Sequence, residues 1–532
     1  MSDVTARFTG TRVLVRHLLR RDRLRLPVWL VSLVGLSYSS VVAVQGLYDT
    51  PQAIATYQRT VGTSAAAVAM SGPPVALDTV GGITVFEVSQ VAVIGVALMA
   101  VFLTIRHTRA DEEEGRTEVL RAGVLGRQAD LLATGLVVGS AAVLVGVGIA
   151  LSFVSVGLST GPSLLYGAAV ASIGIVFMAV SLVAAQVTEH ARSASGLALS
   201  ALGFFYLLRA VGDVAENGLS WLSPIGWAQA VDAFGGNRWW PLLLSLAGTV
   251  AFGVLAGWLT TRRDFGAGLV APRPGPPHAA RWVTTTPGLA ARLQRGTVLG
   301  WTVGMTVLGV MYGSLAGEVG DMIEGNETLE EFFSQSGVSV VDAYFGTVLL
   351  ISALAATGFT ISSVLRLRTE ESAMRAEPIL ATATSRLSWA GGSLAVTGLG
   401  SVLVLMGLGL GAGVTTAFVL SDAGQVGSLL VGVLAYLPAV LLLGALALVL
   451  FGWFPRQAAL SWAVLAICFV IGWMGDLLSL PDWAMDASPY THVPQVPMET
   501  LTWPALLVLT AITLALGAVG LWGVRRRDLR TD

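Results

Sequence analysis

The residues of this chain most able to do chemistry are ionisable groups in two settings. The first is a charged segment between apolar runs, RADEEEGRTEVLRAGVLGR at 109–127, matched by RTEESAMRAEPILATATSR at 368–386. Each places an acid four residues before a base, Glu112 before Arg116 and Glu371 before Arg375. That spacing pairs side chains along one face of a helix. Glu118, Arg127, Glu377 and Arg386 complete the matched charged positions. Such groups form charge-assisted contacts, so their chemistry is docking rather than bond-making. The second setting is the apolar runs themselves. Glu87 and Gln90 lie near one run's start, Arg209 and Asp213 lie four apart in another, and Asp342 and Asp476 lie near the ends of two more. An ionisable group at membrane depth is costly and points to a transport path or gate. Arg209 and Asp213 could equally neutralise each other as a structural pair.

Other chemistries are excluded. Five His are scattered without HExxH spacing, and the single Cys468 sits in an apolar run, so no metal site or disulfide framework is expected. All 31 basic residues are Arg. A P-loop needs a Lys to reach the nucleotide phosphates, so this chain cannot contain one. It is expected to be no ATPase of that class and to hold no cofactor.

The elements that position these residues must be membrane helices. Hydrophobic residues make up 54% of the 532, charged residues 12%, and mean hydropathy is +0.74. A soluble domain carries about 25% charge. A span needs about 20 apolar residues. Twelve candidates appear, at 28–46, 83–105, 131–154, 163–187, 195–215, 241–261, 299–316, 341–365, 389–412, 426–452, 459–480 and 503–524. The expected fold is all-α and polytopic, with twelve transmembrane helices as two parallel six-helix repeats. With both termini cytoplasmic, 28 of the 31 Arg fall in cytoplasmic segments. This is a strong positive-inside pattern. Acids at 318, 321, 324, 327, 330 and 331 gather on the other side. The stretch 11–26 alternates Leu and Val with Arg and predicts an amphipathic helix along the membrane surface.

The two halves repeat at an offset of 259. Arg109, Glu112, Arg116, Glu118, Ala122 and Arg127 meet Arg368, Glu371, Arg375, Glu377, Ala381 and Arg386, and Phe86 meets Phe345. Gly-Asp closes the fifth and eleventh spans (Gly212-Asp213, Gly475-Asp476). Ser-Pro follows each (Ser223-Pro224, Ser488-Pro489), and Arg-Arg-Asp ends the sixth and twelfth. Six spans per half make the repeat parallel, with a pseudo-two-fold axis along the membrane normal. The reading divides the chain into a half at 1–264, a Pro/Gly-rich linker at 265–290 and a half at 291–532. Two matched docking loops imply a two-fold symmetric partner.

The segment EEGRTEVLRAGVLGR resembles the loop E-x-G-T-x-E-x-L-x-A-x-P-x-x-R of ABC-2-type (type V) exporter permeases, departing from it by an extra Arg116 and a missing Pro. The second copy has drifted further. The fused twelve-span layout is similar to tetronasin and polyketide-antibiotic exporter permeases. The resemblance implies that each loop forms a coupling helix docking on one of two separate ABC ATP-binding subunits, which hold ATP and Mg. Loops 188–194 and 453–458 would form a second contact, and 11–26 an elbow helix. It implies efflux of bulky amphipathic drugs or antibiotics by alternating access, in a bacterial plasma membrane. In that fold the second and fifth spans of each half line the path. This points to Phe86, Glu87, Gln90, Phe204, Tyr206 and Arg209, and to Tyr344, Phe345, Phe469 and Trp473. The segments 216–239 and 482–502 would cap the outer end. The competing reading is an ion-gradient-driven secondary multidrug transporter, for which Glu87 is the available membrane acid.

Overall fold

The structure, a computed structural model, describes residues 7–48, 50–62, 65–121, 123, 125–264, 266–270, 275, 277–321, 339–474 and 481–528. Those residues form helices and turns without a strand. Chain contacts divide the molecule into two compact units, Met1–Gly275 and Pro276–Asp532, with the division inside the Pro/Gly-rich segment.

In the first unit the stretch expected as one amphipathic elbow over 11–26 forms α1 (Thr11–Arg21), and the residues from Arg25 already belong to the next helix. The spans are α2 (Arg25–Leu47), α3 (Val80–Glu113), α4 (Ala129–Ser155), α5 (Thr160–Val187), α6 (Ala191–Val214) and α7 (Leu242–Arg262). The second unit has α8 (Thr286–Ser314), α9 (Val340–Ser372), α10 (Arg386–Leu420), α11 (Gly424–Trp453), α12 (Leu460–Met474) and α13 (Trp503–Arg526). Eleven of these are long and apolar enough to cross a membrane. The twelfth expected span, 459–480, is described only as α12. Its 15 residues reach about 22 Å, short of the roughly 30 Å hydrocarbon core. Gly475 and Asp476 lie outside the described residues, as do Ala122 and the acids at 324, 327, 330 and 331.

Hydropathy locates these helices but understates their length. The run at 83–105 continues to Glu113, and that at 341–365 continues to Ser372. At 34 and 33 residues, α3 and α9 are about 50 Å long, so each carries charged turns well past the apolar core. Backbone hydrogen bonding continues where hydrophobicity stops. Several starts are capped by side chains, which satisfy amide groups that no helix bond reaches. Thr79 accepts from the Gly82 amide, Thr285 from Gly288, Ser339 from Asp342 and Ser385 from Ser388.

Small residues set the packing. α3 and α5 are the most deeply buried spans of the first unit. In that core, a Cβ on Gly146 of α4 would come within 2.2 Å of the Gly167 carbonyl oxygen of α5. In the second unit α8 and α10 lie backbone to backbone, and a Cβ on Gly411 would meet the Thr306 oxygen at 2.3 Å. Lipid gives no hydrophobic drive between helices, so close approach supplies the dispersion contacts instead. Buried hydroxyls add interhelical bonds. Ser363 of α9 contacts Gln294 of α8 and, at 2.7 Å, Thr397 of α10, and Gln294 donates to Ser393 at 3.1 Å.

Candidate functional site at the arginine-rich end and beneath the opposite cap

The charged loops begin on helices rather than after them. α3 passes through a π turn at Arg106–Ala110 and ends at Glu113. Gly115, at φ 72°, then reverses the chain into a short helix, Arg116–Arg121. In the second unit Met374 makes the corresponding turn at φ 54° and leads into Glu377–Leu380. The two left-handed positions lie 259 residues apart, the offset read from the sequence. A methionine there bears a steric cost that glycine does not.

The described contacts give each Arg an acid other than the one four residues before it. The reversal at Gly115 and Met374 removes each Arg from the helical face of the acid. Arg116 instead contacts Asp111 at 3.0 Å and also Glu114. Arg375 contacts Glu370 at 2.8 Å. Both bonds span five residues, Asp111 to Arg116 and Glu370 to Arg375, across the turn.

Glu112 and Glu371 turn inward. Glu112 receives both terminal nitrogens of Arg263, at 2.8 and 2.9 Å, and the Gly266 amide at 2.8 Å. Glu371 receives both terminal nitrogens of Arg527. Bidentate guanidinium–carboxylate contacts fix orientation as well as distance. Farther along each loop, Arg127 donates to the carbonyls of Thr260 and Arg263 at 3.1 and 3.4 Å. Arg386 donates to the carbonyl of Arg527. Each loop is thereby tied at two points to the end of its own unit's last span. Glu118 and Arg116 remain exposed at one tip, Glu377 and Arg375 at the other. Glu113 also accepts from the Ala191 amide at 2.9 Å, which joins the first loop to segment 188–194.

The elbow joins the same cluster. α1 buries Leu14 and Leu18 against Ala129, Ala133 and Val137 of α4. Asp22, fully buried, bonds His107 and reaches Arg106 at 3.3 Å, while Arg21 bonds Asp111. Burial works against the Asp22 charge, but the hydrogen bond and charge of His107, with the charge of Arg106, outweigh it. Its pKa therefore lies below the usual carboxylate value. A depressed carboxylate contributes stability above its unfolded pKa and loses it as pH falls through the folded value. Asp22→Asn is expected to lower stability by about 2 kcal/mol near neutral pH, the scale of hydrogen bonds to charged groups. It should also flatten the loss below about pH 4. Thermal midpoints of both proteins between pH 3 and 8 check this, and parallel curves would refute it.

At the opposite end of the first unit, a cap is built from helix Ala65–Ser71, the loop after it and segment 218–239. Arg209 is buried and works as a clamp on this cap. It donates to the carbonyls of Met70 and Val68 at 3.1 and 3.4 Å, and its Nη1 is 3.5 Å from Asp213 Oδ2. Tyr206 donates to the same Met70 carbonyl at 2.9 Å, and Gln90 lies 3.5 Å from the Tyr206 hydroxyl. Asp213 also accepts from Ser220 at 2.7 Å. Glu87 is exposed but not alone, since the Tyr57 hydroxyl donates to it. Burial and the adjacent Glu87 carboxylate push the Tyr57 pKa far above its usual value, which keeps that hydroxyl the donor. Phe86 is buried and lines a cavity of about 50 Å³ under the cap, together with Ser89, Tyr166, Gln229 and Asp232.

The remaining aromatics separate into buried and exposed groups. Phe345 is fully buried and stacks edge-on with Tyr344 at 5.0 Å, and Tyr344 donates to the Tyr312 carbonyl at 3.1 Å. Phe204 and Phe469 are exposed. The side chain of Trp473 lies outside the described residues.

A protein of Mycobacterium tuberculosis, the multidrug efflux system permease protein Rv1217c, is 37% identical to this chain over 527 residues, covering 98% of this chain and 96% of that protein. The chain belongs to this permease family. The family model for the C-terminal domain of the multidrug efflux system permease Rv1217c matches residues 283–525, most of the second unit.

In this permease the charged loops of the two units include three partners that the charge pattern did not single out, Arg263 and Asp22 in the first unit and Arg527 in the second. Arg263 and Arg527 belong to the repeated Arg-Arg-Asp that ends α7 and α13, a signal present in the sequence without a role. Asp22 carried no signal beyond being an acid within a basic arm. Under the cap, Gln229 and Asp232 lie in a segment that the resemblance implies only as a cap on the outer end.

Proposed function

We propose that this permease is the membrane subunit of an ATP-driven ABC exporter. It moves bulky amphipathic drugs or antibiotics outward across the plasma membrane by alternating access, with both termini in the cytoplasm. ATP and Mg are bound and hydrolysed in two copies of a separate subunit, one seated on each of the loops 109–127 and 368–386. The carrying observation is that both loops have the same construction. Each presents an exposed acid at its tip, Glu118 or Glu377, while Glu112 or Glu371 locks its base to the last span of that unit. A partner pulling on such a tip moves the span with it, because the connection is bidentate and largely buried. The absence of any Lys, and hence of a P-loop, agrees with a motor on another chain.

The test is double charge reversal, Glu118→Arg with Glu377→Arg, in the permease assembled with its ATPase. Drug-stimulated ATP hydrolysis is expected to fall at least about tenfold while the folded permease is retained, a loss of roughly 1.4 kcal/mol in coupling. Normal stimulated hydrolysis would remove the coupling assignment. Transport that continues with ATP present after the proton gradient is collapsed would set aside an ion-driven mechanism.

A further inference from the structure

The cavity under the cap of the first unit has a composition that the exporter reading does not require. Gln229 donates its Nε2 to the Ser71 carbonyl at 2.9 Å, which leaves Oε1 as its other end. That oxygen is buried and takes no hydrogen bond among the described residues. Asp232 Oδ1 is likewise buried without a donor. Its second oxygen lies 3.8 Å from Arg238 Nη2, a contact at the edge of ion-pair range. Two further oxygens line the cavity, the buried hydroxyls of Tyr166 and Ser89, stretched 3.5 Å apart. A buried acceptor without a donor is costly, and a carboxylate oxygen more so. Apart from Ser71, the rest of the wall is apolar, with Val85, Phe86, Val93 and Val170 among its residues.

We propose that this cavity binds a small monovalent cation, an alkali or ammonium ion or the primary ammonium head of a larger solute. The charge argues for one positive charge. A single carboxylate is present, partly offset by Arg238, whereas divalent sites gather several carboxylates. The dimensions argue for a small occupant. The volume is about 50 Å³, and the walls have no slack. A Cβ on Gly72 would come within 2.3 Å of Gln229 Nε2, and one on Gly235 within 2.2 Å of Asp232 Oδ1. The loop itself is held in an unfavourable backbone conformation, with Asp232 at φ 54° and Phe234 at φ 68°. Such positions persist where surrounding contacts require them. The inference stands independently of how export is powered.

The experiment uses the purified full-length permease in nanodiscs. Thermal unfolding is followed at constant ionic strength in choline chloride, replaced stepwise by sodium, potassium, ammonium or methylammonium chloride. The midpoint is expected to rise saturably with at least one small cation, as ligand binding to the folded state requires. Asp232→Asn should raise the half-saturating concentration about tenfold or more, the scale of one charge-assisted contact. Gln229→Glu adds a second carboxylate and should lower it. Should Asp232→Asn fail to fold, Gln229→Glu decides: a lower half-saturating concentration supports the site and an unchanged one overturns it. A response to sodium or potassium assigns a free inorganic ion, and a response confined to ammonium and methylammonium assigns the amine of a solute. Identical midpoints in every salt would mean that the cavity holds water, which overturns the proposal. So would a cation response that Asp232→Asn leaves intact.

Discussion

Replacing Arg263 with alanine is expected to release the first loop from α7 and to cost roughly 3 kcal/mol, the lower range for breaking a buried ion pair. Glu112 would lose both guanidinium bonds and, among the described residues, keep the Gly266 amide and Arg109, the latter at 3.1 Å. Arg527→Ala should do the same to Glu371 in the second unit. Drug efflux from cells expressing either variant is expected to fall at least about tenfold if the loops couple the spans to an ATPase as proposed, since a loose loop would then transmit no displacement. Arg263→Lys keeps the charge but not the fork, so it should fall between wild type and alanine. Exchanging the pair, Glu112→Arg with Arg263→Glu, should recover part of the loss. The measurements are thermal midpoint and drug accumulation. An alanine variant unchanged in both would show that the clamp carries neither stability nor motion.

Arg209→Met is expected to be the most damaging single change beneath the cap. It strips donors from the Met70 and Val68 carbonyls and leaves the Asp213 carboxylate buried with Ser220 as its remaining close partner. Removing one member of a buried pair costs about 3–5 kcal/mol, and replacing both with apolar groups costs far less. Arg209→Met with Asp213→Leu should therefore be the more stable of the two variants, by roughly 2 kcal/mol or more. Yield and thermal midpoint in detergent give the answer. Equal loss in single and double variants would mean that the cap carbonyls, rather than the Asp213 charge, dominate. In either case Arg209 serves as a cap clamp.

Particular residues show where the sequence could be read and where it could not. Phe86 and Phe345 were paired by offset alone, and both are buried at the same stage of α3 and α9. The loops 109–127 and 368–386 match by charge, and Glu112 and Glu371 each bond an Arg at the end of their own unit's last span. Arg116 and Arg375 contact Asp111 and Glu370 rather than following i,i+4 spacing alone, because that spacing assumes an unbroken helix and the helices end at Glu113 and Ser372. Arg209–Asp213 was visible as a local pair at helical spacing. Its bonds to Met70 and Val68 were not, since they join residues about 140 positions apart.

The sequence by itself determined that this protein lives in a membrane, that its elements are helices, and approximately where most of them begin, although the span expected from 299 starts at Thr286. Those properties follow from local composition, because lipid leaves the backbone no partner other than itself. The 532 residues contain no Lys, so the GxxxxGK[ST] pattern does not occur among them. Only the tertiary structure decided what each charge touches. The Glu112–Arg263 and Glu371–Arg527 forks join groups roughly 150 residues apart. They depend on two helix ends arriving together and on a left-handed turn at Gly115 and Met374. Side-chain pairing over such separations is set by packing, and packing of small residues at Gly146, Gly167 and Gly411 leaves only a faint trace in one sequence.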